Sequence, residues 1–317
     1  MANADAPHVV LWLPAWAVFG RQRIDPVVAR ALGRADARDT GAGGLPAQAA
    51  RAFSWTPNHW APAALTRQAD VGDAAGAQWL RADPAHVRPD LNGARLLGIG
   101  ERLSLDGEDL AALLPALRPI FGDAGFALDA PVPSRWYLRL PRGTSVPRFS
   151  DPDAALGEDL FEHQVGGPEA RRWRALESDV QVTLHNHPWN ERRRARGLVP
   201  VNALWFWGSG ELPTHVTSTV ACACSDDDLV RAFATCAGGD ARPLAPRFDV
   251  LPMTALHDLR RMRDLARVQA DWLLPAIAAL QAGQIGRLIL DADDGHVRTL
   301  TRGQRWRFWR GPWAPAA

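Results

Sequence analysis

The chain is long, rich in apolar residues and almost electrically neutral. It has 317 residues, of which 47% are hydrophobic and 22% are charged, and this composition supports a large packed core and excludes a disordered or fibrous protein. One large α/β domain and two ordinary domains both fit this length. The formal net charge is only +1, so no overall field draws the chain to nucleic acid or to an anionic membrane, and we expect neither as a partner.

The residue types exclude several chemistries. Every basic residue is Arg and none is Lys, which excludes a Schiff-base lysine, whereas arginine suits planar anions. Three cysteines (Cys222, Cys224 and Cys236) lack the second pair or the nearby histidines of a zinc site, so we interpret them as buried thiols. The N-terminal segment has no basic region and only a short apolar run, and no apolar stretch reaches the roughly 20 residues that span a bilayer. We therefore expect a cytoplasmic protein.

The first half of the chain alternates strand and helix patterns. An apolar run over residues 8–13 predicts a buried strand, and Asp25 followed by Pro26 predicts a helix start, with the helix running to residue 37. Residues 40–73 are rich in Gly, Pro and Ala, which indicates loop and short helix. Leucines at helical spacing predict a helix over 106–125, and alternation predicts a strand over 135–140.

The second half continues the alternation. A helix opens at Pro168 with an apolar stripe at Trp173, Leu176, Val180 and Leu184, and a buried strand follows over 201–207. Further patterns predict strands over 216–223 and 287–290 and helices over 226–237 and 258–282. The order predicts an α/β fold with a mainly parallel sheet, helices on both faces and an inserted subdomain.

Polar residues are concentrated between the helix after Pro168 and the strand after it. Residues 184–213 read LHNHPWNERRRARGLVPVNALWFWGSGELP, and a loop between a helix end and a strand end is the usual ligand crevice of an α/β sheet. We predict an anion-binding pocket in which Arg193 presents its forked guanidinium to a carboxylate or phosphate. Trp205 and Trp207 share a strand face, so either can wall this pocket. The other candidate ligand-binding residues of the loop are His185, His187, Asn190, Arg192 and Asn202. The alternative is a solvated helix turn followed by core tryptophans.

The loop resembles a segment of the archaeal-type cofactor-independent phosphoglycerate mutases of the alkaline phosphatase superfamily. The family pattern H-P-[VI]-N-x-x-R-x-x-x-G, followed by P-A-N-x-[IL]-x-[LW]-x-G-x-G, is matched by His187, Pro188, Asn190, Arg193, Gly197, Pro200, Asn202, Leu204, Trp207, Gly208 and Gly210. Upstream, Arg81 stands where the family has R-x-N, within a stretch that resembles its insertion subdomain. The whole chain also resembles the RpfE-type regulatory proteins of bacteria, which share the LH-x-HP-x-N and LWFWG-x-G patterns.

These resemblances imply an alkaline phosphatase-like α/β/α sandwich with a mainly parallel sheet and an inserted α+β subdomain. The implied divisions are 1–78 for the first part of the core, 79–215 for the insertion and ligand loop, and 216–317 for the rest of the core. The chain departs from the mutases in lacking their G-D-G-x-x-D start, the Ser or Thr nucleophile and the A-x-D-E-x-x-H segment, so the two-metal centre is incomplete. Asp291, Asp293, Asp294 and His296 remain as weak candidates for a divalent metal such as Mn or Zn, and a solvated turn explains them equally.

We therefore predict a degenerate phosphoglycerate mutase-like protein without a cofactor, which is regulatory or binds a small anionic or phosphorylated metabolite, with a protein partner as a further possibility. The alternative is an active mutase or phosphoesterase with a rearranged site.

At the C-terminus, residues 302–313 (RGQRWRFWRGPW) alternate Arg with Trp and Phe. We interpret this alternation as an edge strand with one buried face, and a surface on which nucleic acid bases stack is the alternative.

Overall fold

The computed structural model describes residues 6–90 and 93–314, which form two compact units. One unit is drawn from residues 1–57 and 215–317, and the other is Asn58–Thr214. The second unit therefore starts ahead of the predicted boundary at residue 79. Residues 1–5, which belong to the segment that led us to expect a cytoplasmic protein, lie outside the described part of the chain.

The helices and strands are as follows. Up to residue 57 they are β1 (His8–Leu13), α1 (Pro26–Arg34), β2 (Asp36–Asp39), α2 (Gly44–Ala52) and β3 (Phe53–Thr56). From residue 58 to 214 they are α3 (Pro62–Asp70), β4 (Gln78–Asp90), β5 (Gly93–Ile99), α4 (Gly107–Asp123), β6 (Ala127–Val132), β7 (Arg135–Leu140), α5 (Pro152–Ala155), α6 (Ala170–His185), α7 (Trp189–Ala195) and β8 (Ala203–Glu211). From residue 215 they are β9 (His215–Ser218), β10 (Cys222–Cys224), α8 (Asp228–Cys236), β11 (Asp240–Arg242), β12 (Ala255–Asp258), α9 (Leu265–Val268), α10 (Leu274–Ala282), β13 (Arg287–Ala292) and β14 (His296–Thr301).

The unit that contains both ends of the chain is built on a mostly parallel sheet. Its strand order is β11-β10-β12-β1-β13-β14-β2. In this order, the neighbouring strands β11, β10, β12, β1 and β13 all pair in parallel, whereas β14 is antiparallel to β13 and to β2. The predicted mainly parallel sheet is confirmed. The carboxyl ends of its parallel strands lie at one edge, which is where α/β sheets form their crevices.

Helices cover both faces of this sheet. Successive side chains of a strand point to opposite faces, and the odd-numbered residues of β1, from Val9 to Leu13, pack in one cluster with Leu32 of α1 and Ile277 of α10. The even-numbered Trp12 instead meets the ring of Phe53 edge-on at 6.4 Å between ring centroids. Phe53 directly follows α2 and stacks on Phe233 of α8. The predicted layering of helix, sheet and helix is therefore present.

The unit from Asn58 to Thr214 is an antiparallel sheet with helices. The long strand β4 pairs with β7 along its first half and with β5 along its second half, while β8 pairs with its other side. Helices α4 and α6 pack on β8 through Phe121, Trp173 and Phe206, whose rings meet edge-on at centroid distances of 5.3–6.1 Å. The predicted stripe of α6 is confirmed, because Trp173, Leu176, Val180 and Leu184 are all buried.

Helix boundaries follow local capping where the sequence carries a cap. Asp25 accepts hydrogen bonds from the backbone of the first turn of α1, and Pro26 occupies that turn, an arrangement that contributes about 1 kcal/mol. The predicted end at residue 37 is wrong, since α1 stops at Arg34 and β2 begins at Asp36 to pair with β14. The prediction of loop and short helix over 40–73 is confirmed for the short helices α2 and α3, but it missed the strand β3 between them. Alanine supplies two of the three buried residues of α2 and two of the six of α3, and alanine gives a weak periodic signal.

Two further predictions need correction. The strand predicted over 216–223 is divided into β9 and β10, and these belong to different sheets. The helix predicted from residue 258 begins only at Leu265, because residues 255–258 form β12 in the centre of the sheet. A π-helical turn, Gln269–Leu273, joins α9 to α10.

The C-terminal segment is not an edge strand. Arg302–Trp306 forms a 3-10 helix and turns follow it, while β2 occupies the sheet edge beside β14. Trp306, Phe308 and Trp309 are 64–78% exposed, so the predicted buried aromatic face is wrong.

The cysteines agree with prediction in being free thiols, of which Cys222 and Cys224 are buried and Cys236 is half-buried. Within the described ranges, none of the helices has the length and apolar character needed to cross a membrane.

Candidate functional site

Arg193, the residue predicted to bind an anion, lies fully buried in the unit that contains α7. Its Nη1 donates to Asp109 Oδ2 of α4 at 2.6 Å, its Nη2 to the carbonyl oxygen of Leu103 at 2.6 Å, and its Nε to that of Val199 at 2.9 Å. The side chains of Arg193 and Asp109 are both 0% exposed. The expectation of a free guanidinium fork is wrong, and the placement favours a structural role that ties α7 to α4.

The two loop asparagines are also engaged with the backbone. The Asn190 amide donates to the carbonyl oxygens of Leu184 and Val201 and accepts from the Val201 amide. Asn202 bonds both backbone groups of Val87, accepting at 2.8 Å and donating at 2.7 Å. The hydrogen bonds of Asn190 and Asn202 to the backbone hold the loop between α6 and β8 in place, and those of Asn202 join it to strand β4.

The other loop candidates are closer to solvent. His185 and Arg192 are exposed, and the Arg192 guanidinium lies 5.1 Å from the ring centroid of Trp189. His187 is half-buried, with Nδ1 accepting from the Trp189 amide at 3.2 Å, and burial lowers the pKa of its imidazole. Pro188 takes the N-cap position of α7, after α6 has ended at His185. The chain therefore leaves one helix at His185 and starts the next after Pro188.

Arg81 and Trp207 come together, but in a closed cluster. The Arg81 guanidinium binds the Asp83 carboxylate at 2.9 Å and stacks 5.0 Å from the Trp207 ring centroid. Trp207 Nε1 donates to the same carboxylate at 2.7 Å. Arg81, Asp83 and Trp207 are each no more than 7% exposed. The residue that replaces the family's Asn, Asp83, thus serves here as the internal partner of Arg81.

The predicted metal candidates lie around the hairpin turn between β13 and β14. Asp294 accepts from the backbone of Trp16 at 3.1 Å and lies 3.3 Å from the imidazole of His296. Gly295 has a φ of +87° at the tip, a conformation suited to glycine. Asp293 is half-buried, and burial raises the pKa of its carboxyl. The structure does not assemble the four candidates into one ligand set.

Asp291, at the end of β13, is instead paired with an arginine. Arg51 of α2 donates from Nη2 and Nε to the two Asp291 carboxylate oxygens at 2.6 Å and 2.8 Å. The Gln48 amide bonds the Asp291 carbonyl oxygen at 2.8 Å. Burial raises the pKa of the Asp291 carboxyl, and the hydrogen bond and charge of Arg51 oppose that rise. The bidentate pair uses both oxygens that a metal would need.

A second strand end of the same sheet carries a larger cluster, which we call the Arg260 cluster: Ser225, Asp227, Asp258 and Arg260. Arg260 donates from Nε and Nη2 to the two oxygens of Asp258 at 2.8 Å and 2.7 Å, and from Nη2 to Asp227 at 3.1 Å. The Ser225 hydroxyl donates to Asp258 at 2.7 Å. The guanidinium lies 5.3 Å from the ring centroid of Trp12 on the neighbouring strand β1.

The surroundings of the two carboxylates in the Arg260 cluster shift their pKa values in opposite directions. Burial acts to raise the pKa of Asp258, but the charge and hydrogen bonds of Arg260 overcome it, so the pKa of this carboxyl is lowered. Burial prevails at Asp227, whose pKa is raised, because Arg260 gives this carboxylate a single, longer bond. Sequence reasoning missed this cluster, since it placed Asp258 at a helix start. The available signal was the Asp258-Leu259-Arg260 triplet after an apolar run.

The strand-end residues do not fit the pair of metal ions that the mutase resemblance implies. The carboxylates of Asp258 and Asp291 are saturated by guanidinium groups, and β1 brings Trp12 to the sheet instead of a carboxylate. Over residues 6–90 and 93–314, no group of three or more His, Cys, Asp or Glu side chains is arranged to hold a metal ion. A metal ion would have to displace an arginine at each position.

The unit from Asn58 to Thr214 also contains a cavity of about 380 Å³. Aromatic and aliphatic side chains line most of it, among them Phe149 and Trp205. Its polar lining includes Glu177 and Gln181, one turn apart on α6, and His163. Trp205 lines this cavity, whereas the sequence predicted that it walls an anion pocket around Arg193. Phe149, His163 and Glu177 were not anticipated, because nothing in their local sequence separates them from ordinary helix and loop residues.

Comparison with known proteins relates part of this chain to phosphoglycerate mutases. No family model matches the chain. It is 30% identical over 133 residues to a probable 2,3-bisphosphoglycerate-independent phosphoglycerate mutase of Geobacter sulfurreducens, a match that covers 40% of this chain and 33% of that protein. The corresponding enzyme of Methanothrix thermoacetophila is 28% identical over 92 residues, which cover 27% of this chain and 24% of the relative.

The matches thus span a third or less of the length of these relatives. Among solved structures, the chain is similar to the cofactor-independent phosphoglycerate mutase of Thermoplasma acidophilum, with a TM-score of 0.46 and 13% identity over 94% of this chain and 90% of that one. The sequence relatives confirm the predicted resemblance to cofactor-independent phosphoglycerate mutases. The likeness to RpfE-type proteins stays a prediction.

Proposed function

We propose that this chain is a degenerate relative of the phosphoglycerate mutases that does not use two-metal catalysis and acts by binding. The observation that carries the proposal is the pairing of strand-end carboxylates with arginine: Asp291 with Arg51, and Asp258 and Asp227 with Arg260. A guanidinium stays protonated at every physiological pH. It holds a permanent positive charge against these carboxylates, and it cannot supply the open coordination position of a catalytic metal.

The chemistry of the strand ends supports the same conclusion. Trp12 lies within β1 (HVVLWL), a strand without a carboxylate, and its indole is fully buried. Arg260 is about as buried as its partners, and removing such a partner leaves an uncompensated charge at a cost of about 3–5 kcal/mol. The arginines are thus part of the folded core, and exchanging them for metal ions would require rebuilding this edge of the sheet.

The scaffold and the cavity of this chain support a binding role. The α/β scaffold persists, and the second unit carries a cavity of ligand size. A regulatory protein that responds to a small molecule would use these features, as the RpfE-type resemblance implies. The anionic metabolite and the protein partner expected from the sequence stay predictions, and so does a cytoplasmic location.

Metal content and mutase activity test this proposal together. The full-length protein is purified without chelator, its Mn and Zn are measured by mass spectrometry, and conversion of 3-phosphoglycerate to 2-phosphoglycerate is followed with and without added Mn²⁺. We expect metal well below one equivalent, no conversion above a protein-free blank, and no rise in melting temperature with Mn²⁺. Two retained equivalents with chelator-sensitive conversion would establish the alternative, an active enzyme with a rearranged site.

A pair of variants tests whether the arginines are structural. Arg260→Met should lower the free energy of unfolding by about 3–5 kcal/mol, since it strands buried carboxylates. Arg267→Met is the control, because Arg267 is 62% exposed and its ion pair with Asp271 lies at the surface. Wild-type stability in Arg260→Met would contradict the proposed replacement of metal ions by arginine.

A further inference from the structure

We propose that the cavity of the Asn58–Thr214 unit binds a small apolar amine, with the ammonium group held between Glu177 and His163 and the apolar part packed against Phe149 and Trp205. The proposal rests on the binding role inferred above, and it gives this cavity a cationic ligand in place of the anionic metabolite expected from the sequence. Its failure is separable from failure of that role, because ligand affinity decides the amine proposal, whereas metal content and mutase activity decide the role.

The size and lining of the cavity match a small-molecule site. Its volume of about 380 Å³ lies within the range of roughly 300–1,000 Å³ that is usual for ligand pockets. Four parts of the unit form its walls: β8, the facing ends of β4 and β5, helix α6, and the segment from Phe149 to Gln164. Such pockets are mainly apolar with a few polar groups that orient the ligand, and this cavity has that character.

The charge of the lining selects a cation. Among the described residues that line the cavity, Glu177 carries the one carboxylate and none carries a guanidinium. An anionic ligand would therefore meet a like charge without a compensating one, whereas an ammonium group would meet an opposite charge at short range. The charge of Arg174, on the preceding turn of α6, also acts on Glu177 and opposes the effect of burial on its pKa.

Helix α6 brings Glu177 and Gln181 into the cavity by spacing alone. Residues four apart lie on the same helix face, and this pair borders the buried stripe that contains Trp173 and Val180. Burial in these surroundings raises the pKa of Glu177 to about 7, partly opposed by Arg174. Within the described part of the chain, its carboxylate has no hydrogen-bond partner, so pairing with a ligand cation would recover the cost of ionising it.

His163 supplies a second unsatisfied group. Its Nε2 atom is buried without a hydrogen-bond partner, and its ring meets that of Trp205 edge-on at 6.3 Å between ring centroids. Buried polar atoms are almost always hydrogen-bonded in native proteins. An ammonium group has three donors, enough to bond the Glu177 carboxylate and an unprotonated His163 Nε2 together.

Calorimetry with matched probes tests this assignment on the full-length protein. The probes are hexylamine, 2-phenylethylamine and tryptamine, and each is compared with its carboxylate counterpart: hexanoate, phenylacetate and indole-3-acetate. We expect at least one amine to bind and each carboxylate to bind at least tenfold more weakly than its amine. Amine affinity should also rise with pH through the pKa of Glu177, since protons compete with the ammonium group for the carboxylate.

Three variants separate binding from folding. Glu177→Gln should weaken amine binding at least tenfold and keep the fold, because the amide is close in shape and removes a costly buried charge. Asp179→Asn is the matched control, since Asp179 lies exposed on the same helix, and it should bind like wild type. Ala203→Leu adds bulk to the cavity wall and should also weaken binding. Failure of all three amines, equal binding to Glu177→Gln, or tighter binding of the carboxylates would each overturn the proposal.

Discussion

Replacing Arg193 tests whether the polar loop is a binding site or a structural joint. The sequence predicts that Arg193→Ala weakens ligand binding and leaves stability unchanged. The structure predicts the reverse, because the guanidinium bonds Asp109 and the carbonyl oxygens of Leu103 and Val199 without any exposure to solvent.

The magnitude follows from what the substitution leaves behind. The Asp109 carboxylate keeps its bonds from Trp189 Nε1 and the Asp106 amide but loses its ion pair with Arg193, and two carbonyl oxygens lose their donors. Breaking a buried ion pair from one side costs about 3–5 kcal/mol. In a unit of this size, that loss lowers the melting temperature by roughly 6–20 °C. Arg194→Ala is the control, since Arg194 is exposed and pairs only with exposed Glu191, and a surface change of this kind stays within about 0.5 kcal/mol.

Thermal and urea unfolding followed by tryptophan fluorescence supply the measurement. Arg193→Met combined with Asp109→Leu adds a double-mutant cycle, in which we expect a coupling energy of about 0.5–3 kcal/mol between the two residues. If Arg193→Ala unfolds like wild type and loses affinity for phosphorylated or carboxylated metabolites, the structural reasoning fails and the loop is a ligand site.

Three further predictions concern burial. Because burial raises the pKa of Glu177 from 4.5 to about 7, the folded state binds more protons between these values; the free energy of unfolding should therefore fall as pH rises through this window, and a slope unchanged in Glu177→Gln would refute it. Burial raises the pKa of Cys224 to about 12 and that of Cys236 to about 11, so labelling of native protein with iodoacetamide at neutral pH should be slow, and rapid labelling would show accessible thiolates. Gly210→Ala should destabilise by about 1–3 kcal/mol, since its Cβ would lie 2.5 Å from a neighbouring side chain, whereas Gly107→Ala has open space and should unfold like wild type.

Sequence patterns predicted the elements whose burial is one-sided and periodic. The stripe of α6 and the apolar run of β1 are confirmed, because large side chains recur at the helical or strand period. Short helix was predicted over 40–73, but the bounds of α2 and α3 were not, because alanine, which supplies part of the buried face of each, hardly changes the pattern of hydropathy. The C-terminal alternation of Arg with aromatic residues led to the wrong prediction of an edge strand with a buried face. A 3-10 helix and turns carry the same alternation there, with the rings exposed.

The candidate site was predicted less well than the fold, because its polar side chains pair with residues that are far away in the sequence. The loop residues were correctly singled out as unusual, but the partners that occupy them come from distant parts of the chain: Asp109 for Arg193 and Val87 for Asn202. The same is true of Arg51, which meets Asp291 across some 240 residues. A polar residue's partners decide whether it binds a ligand or the protein itself, and local spacing does not reveal them.

Strand β4 limits how this chain can change in length. It pairs with three strands, and its ladders already contain irregular steps at Trp79/Arg81 and His86/Val87. Side chains alternate along a strand, so deleting or adding one residue near its middle would turn every following side chain to the opposite face. Arg81 and Asp83, spaced two apart on one face, would then part from Trp207 on β8. We therefore expect natural variants of this chain to accept substitutions near the exposed end of β4, at Pro89 and Asp90, while the number of residues between Gln78 and Val87 stays constant.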